Sequence, residues 1–331
     1  MTREEIIDKF CSMGDWINCS LENGEFNAVL QTAFAKNPWF CPTFSRKALE
    51  GIALWLKKDS LEAFVKPYSF APEAKKVAVI AAGNIPAVAF HDIMCVLLSG
   101  NEVVCKLSHK DDVLLPFLFG KYFPQEVVFE SEKLKSFQAV IATGSDNTAL
   151  LFENYFAKYP HIIRHSRSSV AILSGKETAL QLQGLAEDML LYAGLGCRNT
   201  SLLFVPKGYD FTLLAQACQN FLWLRDLNKY RNNLDYHRAI FTMNNVHFED
   251  LESVLLTENT ELNSAVSVVN YSFYTSEAEI EDFLSENREK IQIVSGNCSS
   301  IACESFGKAQ EPQIDDFADG LDTMKWLDGL R

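Results

Sequence analysis

The sequence predicts an α/β protein: a doubly wound, mostly parallel sheet in one domain and a second α/β domain after it. Three observations predict it. Short apolar runs ending in Gly or polar residues recur from residue 76 onward. A stretch of helical spacing follows almost every run. The alternation repeats about every 25–30 residues, the signature of a doubly wound sheet.

Residues 1–70 read as helical. In ALEGIALWLKKDSLEAFV, Ile52, Leu54, Trp55 and Leu56 fall near one stripe with charges opposite. KVAVIAAG (76–83) reads as a buried parallel strand. IPAVAFHDIMCVLLSG reads as a helix that opens after Asn84, holds Pro86 in its first turn and stops at Gly100. EVVCKLS (102–108), EVVFES (126–131) and QAVIATGS (138–145) read as strands. DDVLLPFLFGKYF reads as an irregular helical stretch, and DNTALLFENYFAKY as a helix. SSVAILSG is the next strand, and KETALQLQGLAEDMLLYAG a long helix ending at Gly194. SLLFVPKG, FTLLAQACQNFLWLRDL and then SAVSVVNYSFYTS, EIEDFLSENREK and IQIVSG continue the alternation.

The chain has 331 residues, enough for two domains at roughly 100–200 residues each. The boundary is expected near 175. Residues 1–175 would form a cofactor domain with a helical N-terminal segment, and 176–331 a second domain with a C-terminal tail. A hydrophobic share of 48%, with 24 Phe and 5 Trp, is ample for sizeable cores. A net charge of -13 argues against a broad footprint for nucleic acid or an anionic membrane. A few local cations and backbone N–H groups could still hold the phosphates of a cofactor. No stretch approaches the ~20 apolar residues of a spanning helix. The charged start MTREEIIDKF lacks a signal-peptide core, so a cytoplasmic location is expected. The nine cysteines are odd in number and form no CxxC pair, so neither a disulfide framework nor a metal site is expected.

Four motifs carry possible chemistry. In VAVIAAGNIPAVAF, Asn84 follows a strand at a helix start; it could aim its amide into a cleft or simply cap the helix. In GNEVVCKLSHKDD, Lys106 ends a strand where it could reach a ribose or phosphate, though a solvated lysine is commoner. Ser108 and His109 follow at the same edge. In VIATGSDN, the Gly144–Ser145 turn offers backbone N–H groups to phosphate, a weak signal alone. In LYAGLGCRNTSLLFVP, Cys197 is framed by Gly194 and Gly196 and followed by polar Arg198 and Asn199. Such a thiol can be accessible and electropositive, unlike a packed cysteine such as Cys95.

In order and spacing these motifs resemble the aldehyde dehydrogenase superfamily, and more narrowly the LuxC-type acyl-CoA reductases. The likeness runs from about residue 70 to the end, strongest at AAGNIP, GNEVVCKLS, ATGS and GLGC; the later SFGKAQ is similar less clearly. The resemblance implies an aldehyde-dehydrogenase-like fold with the second domain catalytic. It implies Cys197 as nucleophile, Asn84 as oxyanion donor, Lys106 as ribose contact, and Gly144–Ser145 beside pyrophosphate and nicotinamide. Hydrolytic members carry a water-activating glutamate in a stretch that here reads IIRHSRSSVAIL, with Arg164, His165 and Arg167 and no carboxylate. His109 stands where the family often has an acid that would repel a 2′-phosphate, which points to NADPH, with NADH as the alternative.

The expected activity is NAD(P)H-dependent reduction of an acyl thioester, such as a fatty acyl-CoA, to an aldehyde through S-acyl-Cys197. His165 is either a proton-transfer group or a solvated histidine. Two alternatives stand beside it: oxidation of an aldehyde to free acid, and a non-catalytic subunit that binds an acyl-activating enzyme. The family analogy also implies a homo-oligomer.

Overall fold

The computed structural model describes residues 1–130, 134–298 and 300–330. Ser131, last in the strand expected at 126–131, and Ser299 and Arg331, within the expected domain 176–331, lie outside the described residues. The chain forms two compact units, Met1–Ser166 with Gln313–Arg331, and Arg167–Pro312. The division falls ahead of the boundary expected near 175, because the strand at 168–172 pairs within the second sheet. The tail beyond Pro312 groups with the first unit, not the second.

The first unit opens with four helices, α1 (Arg3–Asn23), α2 (Asn27–Lys36), α3 (Pro42–Trp55) and α4 (Lys58–Val65). A capping box starts α1: the Thr2 hydroxyl accepts from the Glu5 N–H and the Glu5 carboxylate from the Thr2 N–H. Ile6, Phe10, Met13, Ile17 and Leu21 line its buried face at three- and four-residue spacing. The stripe expected over 48–65 is split between α3 and α4. Ile52 and Leu56, four apart, are buried, whereas Leu54 points away and is 59% exposed.

The sheet of this unit comprises β1 (Lys76–Ile80), β2 (Glu102–Lys106), β3 (Val127–Glu130), β4 (Ala139–Thr143) and β5 (His161–Arg164). All pairs are parallel, in the order β3-β2-β1-β4-β5. Residues 77–79, 103–105 and 139–142 are fully buried, as expected of parallel strands covered on both faces. Helices α5 (Phe90–Leu98), α6 (Leu114–Tyr122) and α7 (Asp146–Phe156) make the crossovers. Phe10 of α1, Phe90 of α5, and Phe119 and Phe123 at α6 form one ring cluster, so the N-terminal helices extend the core of the sheet.

A buried ion pair closes the unit. Arg164 donates to Asp92 at 2.8 Å and to Thr323 Oγ1 at 2.9 Å, the latter on a short helix over Thr323–Asp328. Tyr68 donates to Asp322 at 2.9 Å beside it. These bonds hold the C-terminal tail in the first unit.

The second unit contains β6 (Ser168–Ile172), α8 (Ala179–Leu190), β7 (Thr200–Pro206), α9 (Thr212–Cys218), α10 (Asn228–Met243), β8 (Phe248–Asp250), β9 (Leu255–Glu258), β10 (Val268–Tyr274), α11 (Glu277–Glu286) and β11 (Ile291–Gly296). Its sheet runs β11-β6-β7-β10-β9-β8, parallel except for β8, which pairs antiparallel at one edge. The helix expected at 211–227 is α9 followed by 3-10 turns through Asp226. The sequence reading had no place for β5, α10, β8 or β9. Among the described residues no helix is long and apolar enough to cross a membrane.

Candidate functional site

In the first unit, β2 and β4 flank β1 on opposite sides, so the connections reverse direction between β1 and β4. At that point an open sheet leaves a crevice beyond the carboxyl ends of its strands. The loops after β1, β2 and β4 lie at that edge, and they carry Asn84, Lys106, Ser108, His109, Gly144 and Ser145.

Asn84 is exposed in a loop spanning 81–89. It does not cap a helix: α5 begins at Phe90 with Ala89 at its N-cap. The helix expected to open after Asn84 is absent there because Ala87 has φ 53. A left-handed residue cannot continue a right-handed helix. The Ala87 N–H is donated to Asp111 Oδ2 at 2.8 Å. Asp111 is 2% exposed, and burial raises its carboxyl to about 7 despite that bond.

Lys106 is the last residue of β2 and is half-buried; its carbonyl accepts the Ala81 N–H at 3.0 Å, locking the start of the Asn84 loop. Ser108 supports this edge from below. Its hydroxyl accepts the Lys110 N–H at 3.2 Å, and a Cβ on Gly83 would lie 2.6 Å from the same oxygen. Only glycine at 83 lets the two loops approach this closely. His109 is exposed beyond it. Ser145 is the exposed N-cap of α7, with its hydroxyl 3.0 Å from that of Thr148. Gly144 is tight as well: a Cβ there would meet Thr148 at 3.0 Å.

His165 is exposed and sits 3.1 Å from Glu153 of α7. Arg164 is consumed by its buried pair with Asp92, and Arg167 donates to the Ile291 carbonyl at 3.3 Å.

In the second unit, the helix expected to reach Gly194 ends at Leu190. Tyr192 (φ 57, ψ 28) and Ala193 (φ 58, ψ 30) are left-handed, and Gly194 follows at φ 75. Each left-handed non-glycine residue costs about 1–2 kcal/mol. Both are buried, so surrounding packing holds them in place. Gly196, at φ 98, then opens a tight turn in which the Asn199 N–H donates to the Gly196 carbonyl at 3.3 Å. Cys197 and Arg198 occupy the two central positions. The Ser169 hydroxyl of β6 donates to the Cys197 carbonyl at 2.9 Å, fixing that peptide. Cys197 is half-buried. Cys95, Cys105 and Cys218 are wholly buried, and desolvation pushes their thiols up, Cys218 to about 12. Strained backbone held by its surroundings is a recurrent property of working sites.

Asp111 and Ser169, which bond backbone groups of the Asn84 and Cys197 loops, are not marked out by the sequence. Asp111 lies inside the quoted KLSHKDD run, but nothing local distinguishes it from the neighbouring Asp112.

No protein-family model and no curated protein sequence matches the chain. Solved structures do. An indole-3-acetaldehyde dehydrogenase of Pseudomonas syringae, in complex with NAD+ and IAA, aligns at a TM-score of 0.67 and 11% identity, over 91% of this chain and 73% of that one. An aldehyde dehydrogenase of Mycobacterium tuberculosis complexed with NAD+ aligns at 0.60 and 14%, over 94% and 84%. Staphylococcus aureus AldH in a substrate-bound state aligns at 0.57 and 15%, over 90% and 76%. The class is therefore settled by the fold: this is an α/β chain of two units with the aldehyde-dehydrogenase-like architecture.

Proposed function

We propose that the chain is a nicotinamide-dependent oxidoreductase that reduces an acyl thioester to an aldehyde through a covalent thioester on Cys197. The observation that carries the reading is the strained turn over residues 192–199, which sets a half-buried cysteine directly after two positive-φ glycines, Gly194 and Gly196, on this fold.

The carboxyl edge of the first sheet fits a dinucleotide. Lys106 ends a strand there, the Gly83–Ser108 approach keeps the loops low, and Gly144–Ser145 opens α7. These residues would hold the cofactor, with phosphate at a helix start. Exposed His109, in place of an acid, favours NADPH over NADH. When bound, the nicotinamide supplies the hydride that takes the acyl group to the aldehyde level.

The Cys197 thiolate attacks the thioester carbonyl and a tetrahedral oxyanion forms. The Cys197 N–H would serve as one donor, and the resemblance to the family implies the Asn84 amide as the other; losing one such donor costs about 10²–10³ in rate. The oxyanion collapses, the C–S bond to the carrier breaks and the carrier leaves as a thiolate. After reduction, the thiohemiacetal on Cys197 expels the thiolate and releases the aldehyde. Thioester exchange is close to balanced in energy, so the first half needs no strong base. The substrate is an acyl-CoA or a related acyl thioester.

The names of the solved relatives favour a second reading, NAD+-dependent oxidation of an aldehyde to free acid. Against it, residues 162–173 supply no carboxylate to activate water, and His165 sits against Glu153 at the surface. Two assays decide. Cys197→Ala should abolish labelling by radiolabelled acyl-CoA; label that persists or moves to another cysteine rejects the nucleophile. Free acid formed from aldehyde without coenzyme A would reject reduction in favour of oxidation.

A further inference from the structure

We infer that Asp111 and Asn37 are positioning residues that hold the Asn84 loop in working geometry from below the carboxyl edge of the first sheet. The inference rests on the reading of Asn84 given above and extends it to the N-terminal helical segment.

Asn84 lies between two anchors. On one side is Gly83, whose carbonyl accepts from Asn37 Nδ2 at 3.5 Å and whose Cα rests against Ser108. On the other is Ala87, whose N–H is held by Asp111. Asn37, at the end of α2, is 4% exposed. It also donates to the Lys110 carbonyl at 3.2 Å, while its Oδ1 accepts the Trp39 N–H at 3.1 Å. The Asp111 N–H in turn bonds the Ser108 carbonyl at 3.0 Å. Three segments, 37–39, 81–89 and 106–111, are thereby joined by polar groups that are almost fully buried.

Two features argue that this is more than loop packing. Ala87 is left-handed, a conformation that an alanine leaves unless something holds it. The carboxylate that holds it is itself only 2% exposed, a costly placement for an ionisable group. A buried carboxylate and a left-handed alanine together fix the direction of a loop whose exposed residue is Asn84.

The test compares Asp111→Ala, Asp111→Asn and Asn84→Ala, singly and combined, by the single-turnover rate of Cys197 acylation from acyl-CoA. Asp111→Ala should slow acylation about tenfold, part of what a lost oxyanion donor costs, with the acyl-CoA KM within about twofold. Asp111→Asn keeps an acceptor for the Ala87 N–H and should restore most of the rate. In the Asn84→Ala background, Asp111→Ala should add no further loss, since the donor it positions is gone. An equal loss in both backgrounds, or no rescue by asparagine, overturns the inference. Amide hydrogen exchange on Asn37→Ala gives a second reading that needs no turnover. Exchange should quicken in peptides covering 81–89 and 106–111 but not in 192–199; unchanged exchange in the first two overturns the inference by itself. If wild-type protein shows no acylation while exchange responds as expected, the function proposed for Cys197 has failed, and the catalytic part of this inference falls with it.

Discussion

Asp188 should make the protein less stable as pH rises from 4 to 8, and replacing it should remove that slope. Asp188 is fully buried on α8 and accepts the Gly307 N–H at 2.7 Å and the Ala309 N–H at 3.1 Å. Burial raises its carboxyl from 3.8 to about 7, even against those two donors. The unfolded chain releases this proton near 3.8, whereas the folded chain keeps it to about 7. Between those values the native state binds more protons, so stability falls as pH rises. The stabilisation is fully present below 3.8 and lost once pH passes 7. A shift of about three units corresponds to about 4 kcal/mol, of which about 3 falls between pH 5 and 8. Asp188→Asn keeps one acceptor oxygen but turns an amide N–H toward the second backbone donor, which costs about 1–3 kcal/mol at every pH. Relative to the native chain, the variant should gain about 3 kcal/mol between pH 5 and pH 8, enough to cancel or reverse the deficit that the lost acceptor causes. Urea unfolding at several pH values, read as the difference between the two proteins, isolates this group from every other titration. Parallel curves would refute the reasoning, since they would mean Asp188 titrates alike in folded and unfolded chains.

Gly83→Ala should destabilise the first unit by about 1–3 kcal/mol, because its Cβ would lie 2.6–2.7 Å from Ser108 Oγ and Cβ; Ser108→Gly in the same chain should recover part of the loss in thermal melts. Arg164→Ala should cost about 3–5 kcal/mol, since it leaves Asp92 buried without its cation; replacing both partners with apolar residues of similar volume should cost much less, as read from Tm. Gly196→Ala should slow Cys197 acylation and lower Tm, because φ 98 strains any side chain; full activity in this variant would show that the turn can relax without moving the thiol.

The strands and the loops of this fold were not equally legible, and the reason is the range of the forces that set them. β1, β2 and β4 are short apolar runs buried on both faces, and burial is written into each run residue by residue. β5, only HIIR, is too short and too polar to announce itself. The start of α5 was misplaced because Pro86 suits a first helical turn, whereas the left-handed Ala87 depends on a carboxylate 24 residues away. The end of α8 was misplaced for the same kind of reason. Gly194 looks like a helix stop, but the chain leaves the helix at Leu190 and passes through Tyr192 and Ala193 in a hand no local preference favours. The tail returned to the first unit through Arg164–Thr323 and Tyr68–Asp322, pairs separated by 159 and 254 residues. A hydrophobic run needs no particular partner, so it can be read locally; a buried hydrogen bond needs one particular partner, and sequence spacing does not name it. The motif spacing singles out Asn84 and Cys197 but not what holds their loops, because Asp111, Asn37 and Ser169 act through bonds to backbone groups far away in the chain. Residue type and motif order can thus be read one position at a time, while the groups that fix a loop are visible only once the chain is folded.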